Sequence, residues 1–156
     1  MNQSIIDHPN VIAFPPVIYA VPLTAGILLQ TLFPMNLLPP VGAYVLGGLS
    51  FILAGILAVS AFRKMRQVGT NVSPNQPTTA IVTDGPYRFT RNPIYLSLTL
   101  VYGSVSLVAN ALWPMLILPI VLILIDRGVI AREERYLEDK FGEEYMQYKA
   151  RVRRWI

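Results

Sequence analysis

Cysteine is absent from the 156 residues, which excludes disulfides, thiolate metal ligands and a cysteine nucleophile. Histidine occurs once, as His8 in the N-terminal tail. With no second histidine and no dense carboxylate cluster, no transition-metal site is expected. A Ser-His-Asp arrangement would require that tail to fold back across a membrane. Charge is also scarce, at 14% of residues against 53% hydrophobic, with a mean hydropathy of +0.47. These values lie outside the usual range of a soluble domain and point to an integral membrane protein. Cations are missing altogether from the first 62 residues, since all 13 Lys and Arg fall at or after Arg63. In a membrane protein that asymmetry reports topology before it reports a partner. The net charge of +4 is therefore no argument for nucleic acid. The N-terminus has neither a basic n-region nor a small-residue cleavage site, and it does not read as a signal peptide.

What is present is a succession of apolar runs, sized for one domain spanning residues 1–156. After a polar tail of residues 1–10, Val11 to Phe33 is long enough to cross a bilayer core of about 30 Å. It carries Pro15, Pro16 and Pro22, so a kinked or late-starting helix is expected. Pro34 to Pro40 reads as a short turn. Val41 to Phe62 is a second span in which Gly42, Gly47, Gly48, Ser50, Ala54, Gly55 and Ala58 allow close helix approach. Residues 1–62 thus form an N-terminal two-helix part, stopped by Arg63-Lys64-Met65-Arg66. Gly69 to Thr79 reads as loop, and Ala80 to Thr83 as a brief extended piece.

Ile94 to Val108 and Leu112 to Ile125 are shorter apolar runs, each near or below the lower limit for a span. Trp113 and Tyr102 are candidate markers of the far interface. Good helix formers continue past Ile125, so one long helix leaving the membrane is expected, capped near Gly142 in a left-handed conformation. A further helix follows over Glu143 to Val152. The expected fold is all-α, with about four transmembrane helices and the last extending into the cytosol. Both cationic regions, and with them both termini, are then cytoplasmic. A prokaryotic inner membrane is the expected location.

That topology brings two polar regions to one face. The first is Thr83 to Tyr95, punctuated by Gly85-Pro86 and Asn92-Pro93. The second is Arg132-Glu133-Glu134-Arg135-Tyr136. On a regular helix, Asp126, Ile130 and Glu133 share one side. Taken singly, these features also suit a solvated charged helix and ordinary turns.

Together they carry a likeness. From Pro77-Thr78-Thr79-Ala80-Ile81-Val82-Thr83-Asp84-Gly85-Pro86-Tyr87-Arg88-Phe89-Thr90-Arg91-Asn92-Pro93-Ile94-Tyr95, through Arg132-Glu133-Glu134, Leu137, Phe141-Gly142, Tyr145 and Tyr148, to Val152 and Arg153 to Trp155, the chain resembles the isoprenylcysteine carboxyl methyltransferase family. That family includes bacterial and archaeal relatives and is related to the phospholipid N-methyltransferases. The resemblance covers residues 77–156, about half the chain. It implies an integral membrane enzyme that transfers the methyl of S-adenosylmethionine to a lipophilic or small amphipathic acceptor. It also implies that the C-terminal part encloses the cofactor. By position, the cofactor-binding residues are Ile81, Val82, Gly85, Tyr87, Arg91, Asn92, Pro93, Tyr95, Glu133, Glu134, Tyr145 and Tyr148. Where many members have histidine between Arg and Pro, this chain has Asn92, which donates a hydrogen bond but does not titrate. Where glycine is common two positions after Tyr95, this chain has Ser97, expected to narrow the approach to the cofactor.

The chemistry is compatible with these residues. Methyl transfer from a sulfonium asks the protein to align donor and acceptor and to exclude water. Paired acids suit an ammonium, Arg91 or Asn92 a carboxylate, and tyrosine rings an adenine or a cation. Arg88 and Arg153 are the candidates for orienting an acceptor carboxylate or thiolate, and an amine acceptor is equally compatible. Two readings from other classes stand beside this one. One is a nicotinamide-dependent membrane reductase, for which no Gly-x-Gly-x-x-Gly fingerprint is found. The other is a non-enzymatic membrane protein that docks partners through its charged tail.

Overall fold

A computed structural model describes residues 8–71 and 76–156; part of the expected tail and loop, residues 1–7 and 72–75, lies outside the described residues. Among the described residues six α-helices follow in order: α1 Pro15–Leu32, α2 Pro40–Val68, α3 Pro93–Val108, α4 Leu112–Ile125, α5 Ala131–Phe141 and α6 Glu143–Arg151. A 3-10 turn covers Gly85–Arg88, and one π turn, Asp126–Ile130, joins α4 to α5. No strand occurs among the described residues. The protein is an all-α integral membrane protein. Three helical stretches, Pro15–Leu32, Pro40–Val68 and Leu112–Phe141, are long and apolar enough to cross a membrane, and α3 is a shorter apolar helix.

Prolines at the first turns of α1, α2 and α3 begin these helices where a missing N–H costs nothing. α1 starts late, at Pro15, as its prolines predict. α2 does not end at its cationic cluster. It runs 29 residues, to Val68, and stops at Gly69, whose φ of 76° suits only a left-handed cap. At about 1.5 Å per residue it is roughly 44 Å long, more than a bilayer core. Arg63 and the residues after it therefore continue as helix beyond the apolar span. Positive charge stops a membrane crossing; it does not stop helix propagation.

α3 lies against α2, α1 and α4, while α1 packs chiefly on α4. Only part of the small-residue set on α2 faces a neighbour. Ala43, Gly47, Ala54 and Ala61 are buried, and Ser50 Oγ donates to the Leu100 carbonyl at 3.0 Å. Gly42, Gly48 and Gly55 have nothing within contact distance of a would-be Cβ. At Gly47 a Cβ would lie 2.7 Å from Val108 Cγ2 and 3.1 Å from its backbone nitrogen. The α2–α3 approach is thus set at that glycine.

Tyr102 proves to be a core residue rather than an interface marker: it is 1% exposed and donates to the Pro114 carbonyl at 2.9 Å. It joins Ile18, Tyr19, Tyr95, Val121, Ile125, Val129 and Ile130 in one apolar cluster. Trp113 instead donates its indole N–H to the Phe33 carbonyl at 2.7 Å, fastening the α1–α2 turn to the α3–α4 turn. The Asn110 amide completes that joint through Leu37 N, Leu38 N and Leu38 O, at 2.9, 3.0 and 2.9 Å.

The π turn changes the register of the long helix. A regular helix turns about 100° per residue, whereas a π turn accommodates one extra residue. Asp126 is therefore aligned with Glu134 rather than with Glu133. One guanidinium, that of Arg154, reaches both: Nη1 lies 3.0 Å from Asp126 Oδ2 and Nη2 2.5 Å from Glu134 Oε2. Glu133 turns to α3 instead. α5 ends at Gly142, where φ is 54° but ψ is −123°, outside the left-handed helical region expected there.

Candidate functional site

Four antiparallel apolar helices leave the start of α1, the end of α2, the start of α3 and the start of α5 at the same end of the bundle. A cavity of about 440 Å³ opens there, within the range usual for small-molecule sites. The segment Ala80 to Val82, Tyr87 of the 3-10 turn and residues 91–95 contribute to its lining, as do Glu133, Glu134 and Leu137 from α5 and Tyr145 and Tyr148 from α6. Further apolar lining comes from Pro9 and Phe14 before α1, Pro15 and Pro16 at its start, Phe62 and Met65 on α2 and Leu98 on α3.

The two glutamates are used differently. Glu134 is 4% exposed and clamped. Arg91 Nη2 donates to its Oε1 at 2.8 Å, and Arg154 approaches in fork geometry, Nε to Oε1 at 3.1 Å and Nη2 to Oε2 at 2.5 Å. Lys149 Nζ stands 3.9 Å away. Glu133 lines the same cavity and has one hydrogen bond, from the Tyr95 hydroxyl at 2.6 Å. No cation among the described residues pairs with it. A carboxylate accepts about four hydrogen bonds, so Glu133 keeps most of its acceptor capacity.

Arg91 is the matching donor. Nη1 is used on the Lys149 carbonyl at 3.1 Å and Nη2 on Glu134. Its Nε–H is buried and has no hydrogen-bond partner among the described residues. A buried charged donor left unpaired is costly, and it marks a position suited to an acceptor from outside the chain.

The aromatic wall is built by packing. Tyr145 and Tyr148, three apart on α6, are buried, with ring centroids 6.1 Å apart in edge-on contact. The Tyr148 hydroxyl donates to the Tyr87 carbonyl at 2.8 Å, which ties α6 to the 3-10 turn. Burial pushes the phenols of Tyr87, Tyr145 and Tyr148 above their ordinary range, so all three remain neutral at any working pH. The hydrogen bond to Glu134 holds the proton on Arg154 more tightly than usual.

Most of the residues singled out in the sequence meet at this cavity: Ile81, Val82, Tyr87, Arg91, Asn92, Pro93, Tyr95, Glu133, Glu134, Tyr145 and Tyr148 all line it. Gly85, Arg88 and Arg153 do not. Gly85 has a φ of 63°, and a Cβ there would lie 3.0 Å from Lys64 Cγ, so this glycine seats the motif against α2. The Arg88 and Arg153 side chains are exposed. Arg153 contributes its carbonyl, which accepts from Arg91 N at 3.0 Å. Ser97 turns to the Ile94 carbonyl at 2.7 Å and is outside the lining. Asn92 Nδ2 donates to the Arg154 carbonyl at 3.0 Å, beside Thr90 Oγ1 at 3.1 Å. Arg154, which meets Glu134, is not distinguished in the sequence from its neighbour Arg153, which carries the same charge. The extended backbone at Val152 determines which of the two points inward.

No solved structure matches the chain significantly. An uncharacterized protein of Haemophilus influenzae is 48% identical over 65 residues, which span 40% of this chain and 100% of that relative. The family model for phospholipid methyltransferases matches residues 43–144, from α2 through the motif and the paired glutamates to the start of α6. With the motif and the acid pair inside that range, the chain belongs to the phospholipid methyltransferase family of membrane enzymes.

Proposed function

We propose that this membrane methyltransferase uses S-adenosylmethionine and methylates a lipophilic or small amphipathic acceptor through a carboxylate, thiol or amine. The observation that carries the reading is that one cavity contains both a carboxylate with spare acceptor capacity, Glu133, and an arginine with a buried, unpaired Nε–H, Arg91. These are complementary to the ammonium and the carboxylate of an amino-acid moiety. The residues therefore fit the cofactor. When bound, it supplies an electrophilic methyl group on a sulfonium.

The chain's own part is binding, orientation and exclusion of water. Glu133, fixed by Tyr95, holds a cation. Arg91, fixed by Glu134 and by the Lys149 carbonyl, holds an anion. Tyr87, Tyr145 and Tyr148 supply neutral rings for an adenine or a cationic sulfur, and Ile81 and Val82 an apolar edge. Phe14, Pro15, Pro16, Phe62 and Met65 supply apolar lining against which a lipophilic acceptor is accommodated. The Arg88 and Arg153 side chains lie outside the cavity lining, and Arg153 contributes through its backbone carbonyl, which accepts from Arg91 N. Following the distribution of Lys and Arg, the cavity and both termini are assigned to the cytoplasmic side of a prokaryotic inner membrane.

Calorimetry of the purified protein with S-adenosylmethionine, S-adenosylhomocysteine and NADPH tests the reading. Binding of the first two and not the third is expected. Failure of both adenosyl compounds to bind would overturn it.

A further inference from the structure

The C-terminal segment after α6 supports the site without lining the cavity. Residues 152–155 line no part of the cavity, yet their backbone holds residues that do. The Arg153 carbonyl accepts from Arg91 N at 3.0 Å, and the Arg154 carbonyl accepts from Asn92 Nδ2 at 3.0 Å and from Thr90 Oγ1 at 3.1 Å. The segment is in turn anchored by its side chains. Arg154 bonds to Glu134 and Asp126, and the Trp155 indole donates to Asp126 Oδ1 at 3.1 Å. Asp126 is thus the shared end-point of two consecutive tail residues, one per carboxylate oxygen. It is itself absent from the cavity lining. Its reach depends on the π turn, which aligns it with Glu134.

We propose that Asp126 is a positioning residue for the cofactor site: through Arg154 and Trp155 it fixes the C-terminal strap, and the strap fixes Arg91 and Asn92. The inference rests on the S-adenosylmethionine reading above and assigns it a residue that touches no ligand. Removing the Asp126 charge releases one edge of the Arg154 guanidinium. The strap carbonyls then hold Arg91 N and Asn92 Nδ2 less firmly, and the unpaired Arg91 Nε–H is no longer fixed where a carboxylate would meet it. Tyr87, Tyr145 and Tyr148 are held by α6 and the 3-10 turn and are unaffected. The loss therefore falls on the amino-acid end of the cofactor and leaves the adenosine end alone.

The test compares S-adenosylhomocysteine with methylthioadenosine, which lacks the amino-acid carboxylate and ammonium. Dissociation constants are measured by calorimetry for the parent, Asp126→Asn and Asp126→Glu, at a temperature at which melting curves show all three folded. For Asp126→Asn, weakening of S-adenosylhomocysteine by about tenfold is expected, the scale of one charge-assisted hydrogen bond, with methylthioadenosine unchanged within about twofold. Asp126→Glu, which keeps the charge, is expected to recover most of the loss. Equal weakening of both ligands, or a lowered melting temperature with both affinities unchanged, would overturn the proposal. Trp155→Phe removes the indole donor together with part of a ring that packs on the Tyr19–Tyr95 cluster and provides a second variant: a smaller loss confined to S-adenosylhomocysteine supports the proposal, and none from either variant refutes it. A parent that binds neither compound refutes the cofactor reading itself, a result distinct from any of these.

Discussion

Adjacent glutamates in one site invite the expectation that neutralising either has the same consequence, yet Glu133 and Glu134 should respond oppositely. Glu134→Gln keeps the shape of the side chain and one acceptor oxygen. It replaces the other oxygen by an NH₂ that must face a guanidinium donor. Glu134 is 4% exposed and accepts three charge-assisted hydrogen bonds, one from Arg91 and two from Arg154. Arg91 is itself only 9% exposed at its side chain, so it would remain as a buried cation without its counter-charge. Breaking one partner out of a buried pair costs about 3–5 kcal/mol. Arg154 is about one-third exposed and recovers some hydration, which places the expected loss near the lower end, about 3 kcal/mol. For a chain of this size about 1 kcal/mol corresponds to roughly 2–4 °C in melting temperature, so a drop of about 6–12 °C is expected.

Glu133→Gln loses no ion pair. It retains an acceptor for the Tyr95 hydroxyl, and its melting temperature should stay within about 2 °C of the parent, as for a substitution costing about 0.5 kcal/mol. Its affinity for S-adenosylhomocysteine should fall at least about tenfold, because a charge-assisted bond to an ammonium becomes a neutral one. Thermal melting and calorimetry on the two variants, in the same detergent, read both quantities. Glu134→Gln melting with the parent, or Glu133→Gln melting far lower while binding normally, would refute this division of roles.

Two further outcomes follow from the packing. Gly47→Ala drives a methyl to 2.7 Å from Val108 Cγ2 and 3.1 Å from its backbone nitrogen, so a loss of about 1–3 kcal/mol is expected; Gly48→Ala, with open space around it, should be neutral or stabilising by up to about 1 kcal/mol, from helix propensity. Denaturation curves that rank the two equally would refute the α2–α3 approach described above. Asn110 has a φ of 48° and bonds three backbone groups of the α1–α2 turn. Asn110→Gly should therefore cost about 2 kcal/mol for the lost bonds, and Asn110→Ala about 1 kcal/mol more for the backbone conformation. Identical melting of the glycine and alanine variants would remove the conformational part of that argument.

The apolar runs and the residues that gather at the cavity were legible for different reasons. Span existence follows from run length against bilayer thickness, a one-dimensional property. The motif around Gly85, Arg91, Asn92-Pro93 and the glutamate pair was legible as a pattern of residue types at fixed spacing. What failed was phase. The alignment of Asp126 with Glu133 assumed a regular helix from Leu112 to Phe141. The π turn that breaks it is bound up with tertiary contact: Ile12 donates its N–H to the Gly128 carbonyl at 3.3 Å, and a Cβ on Gly128 would lie 2.3 Å from Ile12 Cδ1. A residue 116 positions away in the sequence thus seats in the turn that determines which acid meets which arginine. The same one-residue ambiguity separates Arg153 from Arg154, since either cation satisfies the charge pattern. Only the extended backbone leaving α6, pinned by Thr90, Arg91 and Asn92, turns the second one inward. A sequence pattern can therefore name the chemistry of this site within one residue. Assigning each role to one side chain requires the contacts of the segment before α1, at Ile12, and of the C-terminal strap, neither of which has a periodicity to read.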